Sequence, residues 1–76
     1  MGTGNKYIRY TSKASAGAVF AAGGGKTHCR MFTLRDGTYL VKVPWQTVDR
    51  LTAANRDRAT TLEALITEGV WPPAGT

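Results

Sequence analysis

Thr27–Val43 reads THCRMFTL-RDG-TYLVKV, two alternating runs of β-branched, aromatic and charged residues on either side of Arg35-Asp36-Gly37. Aspartate followed by glycine between such runs is a strong β-hairpin signal, because glycine reaches the positive φ that tight hairpin turns require. A two-residue turn at Asp36-Gly37 pairs Arg35 with Thr38, Leu34 with Tyr39, Phe32 with Val41 and Arg30 with Val43. One face of the hairpin then carries Phe32, Leu34, Tyr39, Val41 and Val43. The other carries Met31, Thr33, Leu40 and Lys42. A three-residue turn with Gly37 in a bulge is the alternative and shifts the pairing.

Outward from the hairpin, Lys6–Thr11 (KYIRYT) alternates and predicts a first strand. Ser12–Gly17 reads as a loop. Ala18–Ala22 is a short apolar run that predicts a buried strand, and Gly23-Gly24-Gly25 breaks it. Downstream, Pro44 ends the hairpin and suits the first turn of a helix. Trp45, Val48, Leu51 and Ala54 recur at helical spacing and predict a helix over 45–55. Thr60 and Glu63 have the form of a capping box opening a second helix, with Leu62, Leu65 and Ile66 as its stripe and Gly69 as its stop. Residues 56–59 either interrupt two helices or join them.

The expected fold is therefore α+β: a small antiparallel sheet of three or four strands over residues 6–43, followed by one or two C-terminal helices. Residues 1–5 form a flexible lead-in, 6–68 one domain, and 69–76 a flexible tail. The expected core is Ile8, Phe20, Phe32, Leu34, Tyr39, Val41, Val43, Val48, Leu51, Leu62 and Leu65.

A chain of 76 residues buries only about 60% of its unfolded surface, so a few kcal/mol of stability is the reasonable expectation. One cysteine, Cys29, and one histidine, His28, support neither a disulfide framework nor a structural zinc site. The lone thiol fits a reducing compartment, and without a long apolar run the chain is expected to be a soluble cytoplasmic monomer, independent of membranes.

Enzymatic chemistry finds little support. Gly24-Gly25-Lys26-Thr27 resembles the end of a phosphate-binding loop, but Phe20 stands where the motif needs glycine, and a strand rather than a helix is expected to follow. His28 and Cys29 would point to opposite sides of a strand. Asp49, Asp57, Glu63 and Glu68 decorate a helical region, and a core of this size is not expected to enclose a cleft of roughly 300 Å³ or more. No catalytic residue, cofactor or metal is expected. A DNA-reading helix-turn-helix over 45–68 is disfavoured as well, because the second helix offers two glutamates and no base-reading side chain.

Charge is the remaining signal. Up to residue 42 there are seven basic residues and one acid, a net of +6, whereas residues 43–76 carry a net of −1. Lys6, Arg9, Lys13, Lys26, Arg30, Arg35 and Lys42, interleaved with Tyr7, Tyr10, Met31 and Leu40, suit either an acidic protein surface or single-stranded nucleic acid. An ordinary solvated basic face is the plain alternative.

With its KYIRYT strand and THCRMFTLRDGTYLVKVPW hairpin, this small basic chain resembles phage-encoded transcription regulators that bind host RNA polymerase, of the kind found in Xanthomonas phages. The resemblance spans about the first 45 residues and rests on size, charge and general character. It implies a stoichiometric inhibitor acting in the host cytoplasm, which interferes with the sigma factor at initiation and promotes antitermination. Local chemistry selects Lys6, Tyr7, Ile8, Arg9 and Arg30 as partner-binding residues. The alternative is a small basic nucleic-acid-binding domain using the same strand-rich half.

Overall fold

A computed structural model describes residues 5–73. The lead-in expected over 1–5 thus lies outside the described residues except for Asn5, as do the last three residues of the expected tail. The fold is α+β, as expected. In chain order it has β1 (Asn5–Tyr10), α1 (Lys13–Ala22), β2 (Arg30–Thr33), β3 (Tyr39–Pro44), α2 (Trp45–Val48), α3 (Ala53–Arg56), β4 (Ala59–Thr60) and α4 (Leu62–Glu68). The strands form one antiparallel sheet in the order β2-β3-β1-β4.

The hairpin closes by the three-residue alternative. Leu34 N–H donates to Thr38 O at 2.8 Å and Gly37 N–H to Leu34 O at 3.0 Å, with Gly37 at φ +87°. This is a type I turn ending in a bulge whose left-handed residue is glycine. The pairing is then Met31 with Val41, Phe32 with Leu40 and Thr33 with Tyr39, one residue away from the expected register. A slip of one residue exchanges faces between the two strands. Phe32 and Leu34 therefore lie with Leu40 and Lys42, while Met31 and Thr33 lie with Tyr39, Val41 and Val43.

Residues 13–22 are helical, which corrects the expected loop and strand. Ser12 caps the helix by accepting from Ser15 N–H. Five alanines in KASAGAVFAA supply the strongest helix former, and Ala16, Val19 and Phe20 fall on one side and pack on the sheet. The expected helix over 45–55 is split in two. Thr52 leaves helical geometry and caps α3 by accepting from Asn55 N–H. Val48 and Leu51 pack inward as expected, but Ala54 is exposed. In the last helix the cap is Thr61, whose Oγ1 accepts from Ala64 N–H at 3.1 Å. Thr60 is unavailable for that role because it sits in β4, paired with Tyr7 of β1. Gly69, at φ +81°, ends α4 as expected.

Helices pack on both faces of the sheet. On one, α1 and α2 close over Ile8, Tyr10, Val41 and Val43, with Cys29 buried beside them. On the other, Leu65 of α4 and Val70 close over Leu34 and Leu40. The expected tail contributes here: Trp71 meets Phe32 edge to face at a centroid distance of 5.3 Å, and Arg35 Nε donates to Pro72 O at 2.9 Å. Residues 70–73 are thus packed against the sheet. Among the described residues no helix is long and apolar enough to cross a membrane.

Candidate functional site

The α4 face is only partly covered. The register places Arg30, Lys42 and Tyr7 in one row across β2, β3 and β1, and Thr60 of β4 completes it. Neighbouring strands stand about 4.8 Å apart, so the row is about 14 Å long. Arg30 is exposed, and Lys42, Tyr7 and Thr60 are half-buried. Among the described residues both ion pairs belong to Arg9, which leaves Arg30 and Lys42 directly opposite one another without an acidic partner. Like charges facing each other across a ladder oppose folding.

The row runs into an open groove of about 580 Å³ lined by Lys6, Tyr7, Ala59, Thr60, Thr61, Leu62 and Glu63. This corrects the expectation that no cleft of that size is present. The groove is a surface feature where β4 and the start of α4 stand beside β1, so it requires no enclosed core. Its ionisable side chains are Lys6, Tyr7 and Glu63, an assembly without paired carboxylates, histidine or thiol. Among the described residues no three His, Cys, Asp or Glu side chains converge on a possible metal position.

The five residues selected from the sequence divide accordingly. Arg30 and Tyr7 share the row, whereas Lys6 borders the groove from the face of the sheet that also carries Ile8. Ile8 does not belong with them: it is 0% exposed and sits in the core under α1, because alternation along β1 turns it to the face opposite Tyr7. Arg9 lies on the α4 face but is engaged within the molecule. Its Nη1 donates to Glu68 Oε1 at 2.7 Å, its Nη2 pairs with Asp36, and its Nε donates to Thr38 Oγ1 at 3.1 Å. Hydrogen bonding to Glu68 above all, and to Asp36, raises the pKa of the Arg9 guanidinium. Arg9 thereby ties the hairpin turn and the end of α4 to β1. It also offsets Glu68, whose charge is unfavourable at a helix C-terminus.

Other residues from the mixed set also have internal duties. Tyr10 is 1% exposed, with its hydroxyl within hydrogen-bonding distance of Asn55 Oδ1 at 3.3 Å and the Arg58 guanidinium 5.6 Å from its ring centroid. Burial raises its pKa. Leu40 has no exposed surface, and Cys29 is buried, with its thiol pKa raised by that burial. Lys42 was the cation missing from the selected set. Its signal in the sequence was its place on the strand beside Leu40, which becomes informative once the three-residue turn brings it opposite Arg30.

Two rejected motifs also acquire positions. Gly25–Thr27 forms a single 3₁₀ turn after α1 and leads toward β2, so no α-helix follows Lys26 as a phosphate loop would need. The segments once comparable to a helix-turn-helix pack on opposite sides of the sheet, with Val48 against one cluster and Leu65 in the other. Comparison of the chain with protein-family models, with curated proteins and with solved structures yields no match.

Proposed function

We propose that the protein is a non-enzymatic binding module that sets its Arg30–Lys42–Tyr7 row against an acidic protein surface. The observation that carries this reading is the pair of cations opposite each other on neighbouring strands, neither of them ion-paired among the described residues. Such a pair costs stability in the free protein, and an acidic partner relieves that cost. The resemblance in the sequence supplies a specific candidate, bacterial RNA polymerase. Binding there inhibits initiation by interfering with the sigma factor and promotes antitermination.

A nucleic-acid ligand is the second reading, favoured by Tyr7 lying between Lys42 and Thr60 on the partly covered α4 face. Magnitudes place it second. Sheet readers of RNA commonly stack two or three bases, and this row offers one aromatic ring. The row's two cations, Arg30 and Lys42, would give a log–log salt slope of about −1.4 on single-stranded nucleic acid, a small electrostatic contribution.

The test uses purified, nuclease-treated RNA polymerase with and without sigma factor. The expected result is retention of the protein, reduced sigma-dependent initiation, and loss of both in the Arg30→Glu/Lys42→Glu variant. Failure of polymerase to bind, together with micromolar or tighter binding of generic RNA or DNA, would favour the second reading.

A further inference from the structure

The basic row opens at its Arg30 end onto the outer edge of β2. Leu34 and Thr38 form a hydrogen-bonded pair, and backbone bonding alternates along an antiparallel ladder. Phe32 and Arg30 consequently spend their backbone groups on β3. The N–H and C=O groups of Met31 and Thr33 point away from the sheet. Among the described residues they have no hydrogen-bond partner outside the β2–β3 ladder. Edges of this kind invite another strand unless they are blunted, and β2 carries no proline. Arg30 opens the strand and Arg35 follows its end, so the edge is flanked by positive charge.

We propose that an extended acidic segment of the partner adds to β2 as a fifth strand. The inference rests on the acidic-partner reading above and specifies how that partner is held. Backbone bonds to Met31 and Thr33 supply affinity, and alternate side chains supply selectivity. An acidic side chain on the α4 face lies beside Arg30, and an apolar one on the opposite face lies beside Met31, which is half-buried. A second copy of this chain is the poorer occupant. Each copy carries a net charge of +5, and antiparallel self-pairing would bring Arg30 and Arg35 of both copies to one seam.

The test uses the full chain and a blocked alternating Glu–Val octapeptide, with amide hydrogen exchange followed residue by residue. Exchange at Met31 and Thr33 should slow about tenfold at saturating peptide, since a new hydrogen bond must open before exchange. A Lys–Val peptide should give no protection. Thr33→Pro removes an outward donor without removing a bond to β3, a position where strands accept proline, and should abolish the effect. Arg30→Glu should weaken it, and decides the matter if the proline variant does not fold. Peptide binding that leaves exchange at Met31 and Thr33 unchanged overturns strand addition while the acidic-partner reading survives. Absence of peptide binding also overturns it, and polymerase retention then judges that broader reading separately. Protection that grows with protein concentration without peptide assigns the edge to self-association and sinks the proposal.

Discussion

Ile8 and Tyr7 are chain neighbours on opposite faces of β1, and they meet different surroundings. Ile8 enters a sealed layer in which α1 and α2 cover Val41, Val43 and Tyr10. Tyr7 borders a smaller apolar cluster around Leu40 and Leu65, beyond which Lys42 and Arg30 continue the row. The first face is closed by α1 and α2, which pack Ala16, Val19, Phe20 and Val48 against it. The second is closed by a seven-residue helix, residues 70–73 and the polar clasp at Arg9. One face is closed, and the other is partly open along a row in which Arg30 is exposed and Lys42, Tyr7 and Thr60 are half-buried.

Substitution at the neighbouring pair breaks the comparison most directly. Ile8→Ala should cost about 2–5 kcal/mol, most of the stability of a domain this size, whereas Tyr7→Ala should cost about 1 kcal/mol. Urea titration of both variants reads the contrast, and equal costs would contradict the difference between faces. Trp71→Ala should cost about 2 kcal/mol through lost burial and the edge-to-face contact with Phe32. An unchanged urea midpoint would mean that the tail contributes nothing to that face.

The clasp predicts a smaller, pH-dependent effect. Hydrogen bonds from the Thr38 hydroxyl and backbone N–H, reinforced by Arg9, hold the Asp36 carboxyl below its ordinary value of 3.8. Asp36 is therefore more acidic folded than unfolded. Its contribution is present above that ordinary value and is lost as pH falls through the lower folded one. Asp36→Asn should flatten this part of the acid limb in thermal melts below about pH 4, at a cost under about 1 kcal/mol near neutrality because the group is partly exposed. The smallest effect has the opposite sign. Lys42→Glu places an acid opposite Arg30 and should stabilise the free protein by about 0.2–1 kcal/mol while reducing polymerase retention. Greater stability with undiminished binding would separate the row from function.

How much was legible beforehand differs between the faces for a physical reason. Ile8, Val41, Val43 and Leu65 are recognisable core residues because large apolar groups in alternating or helical patterns have few other places to go. Leu40 and Val70 were not, since each is adjacent to residues that read as a mixed face or a tail. Ala16 and Val19 were missed because a short alanine-rich run carries apolar density without a period. The residues of the proposed binding row were partly legible as cations and a tyrosine. Arg9 and Arg30 look alike in sequence, however, and only the approach of Glu68 and Asp36 engages the first while the second is left open.

The sequence by itself determined the α+β class, a hairpin turning at Arg35-Asp36-Gly37, the stop at Gly69 and the concentration of positive charge before residue 43. These follow from local conformational preference and composition, which act over a few residues. The tertiary structure decided the hairpin register, and with it which side chains share a face. It turned residues 18–22 into the end of a helix, drew β4 from the segment before α4, and docked residues 70–73. Those choices depend on long-range packing: a ladder slipped by one residue has nearly the same local chemistry, and only α1 and α4 closing on opposite faces distinguishes one register from the other.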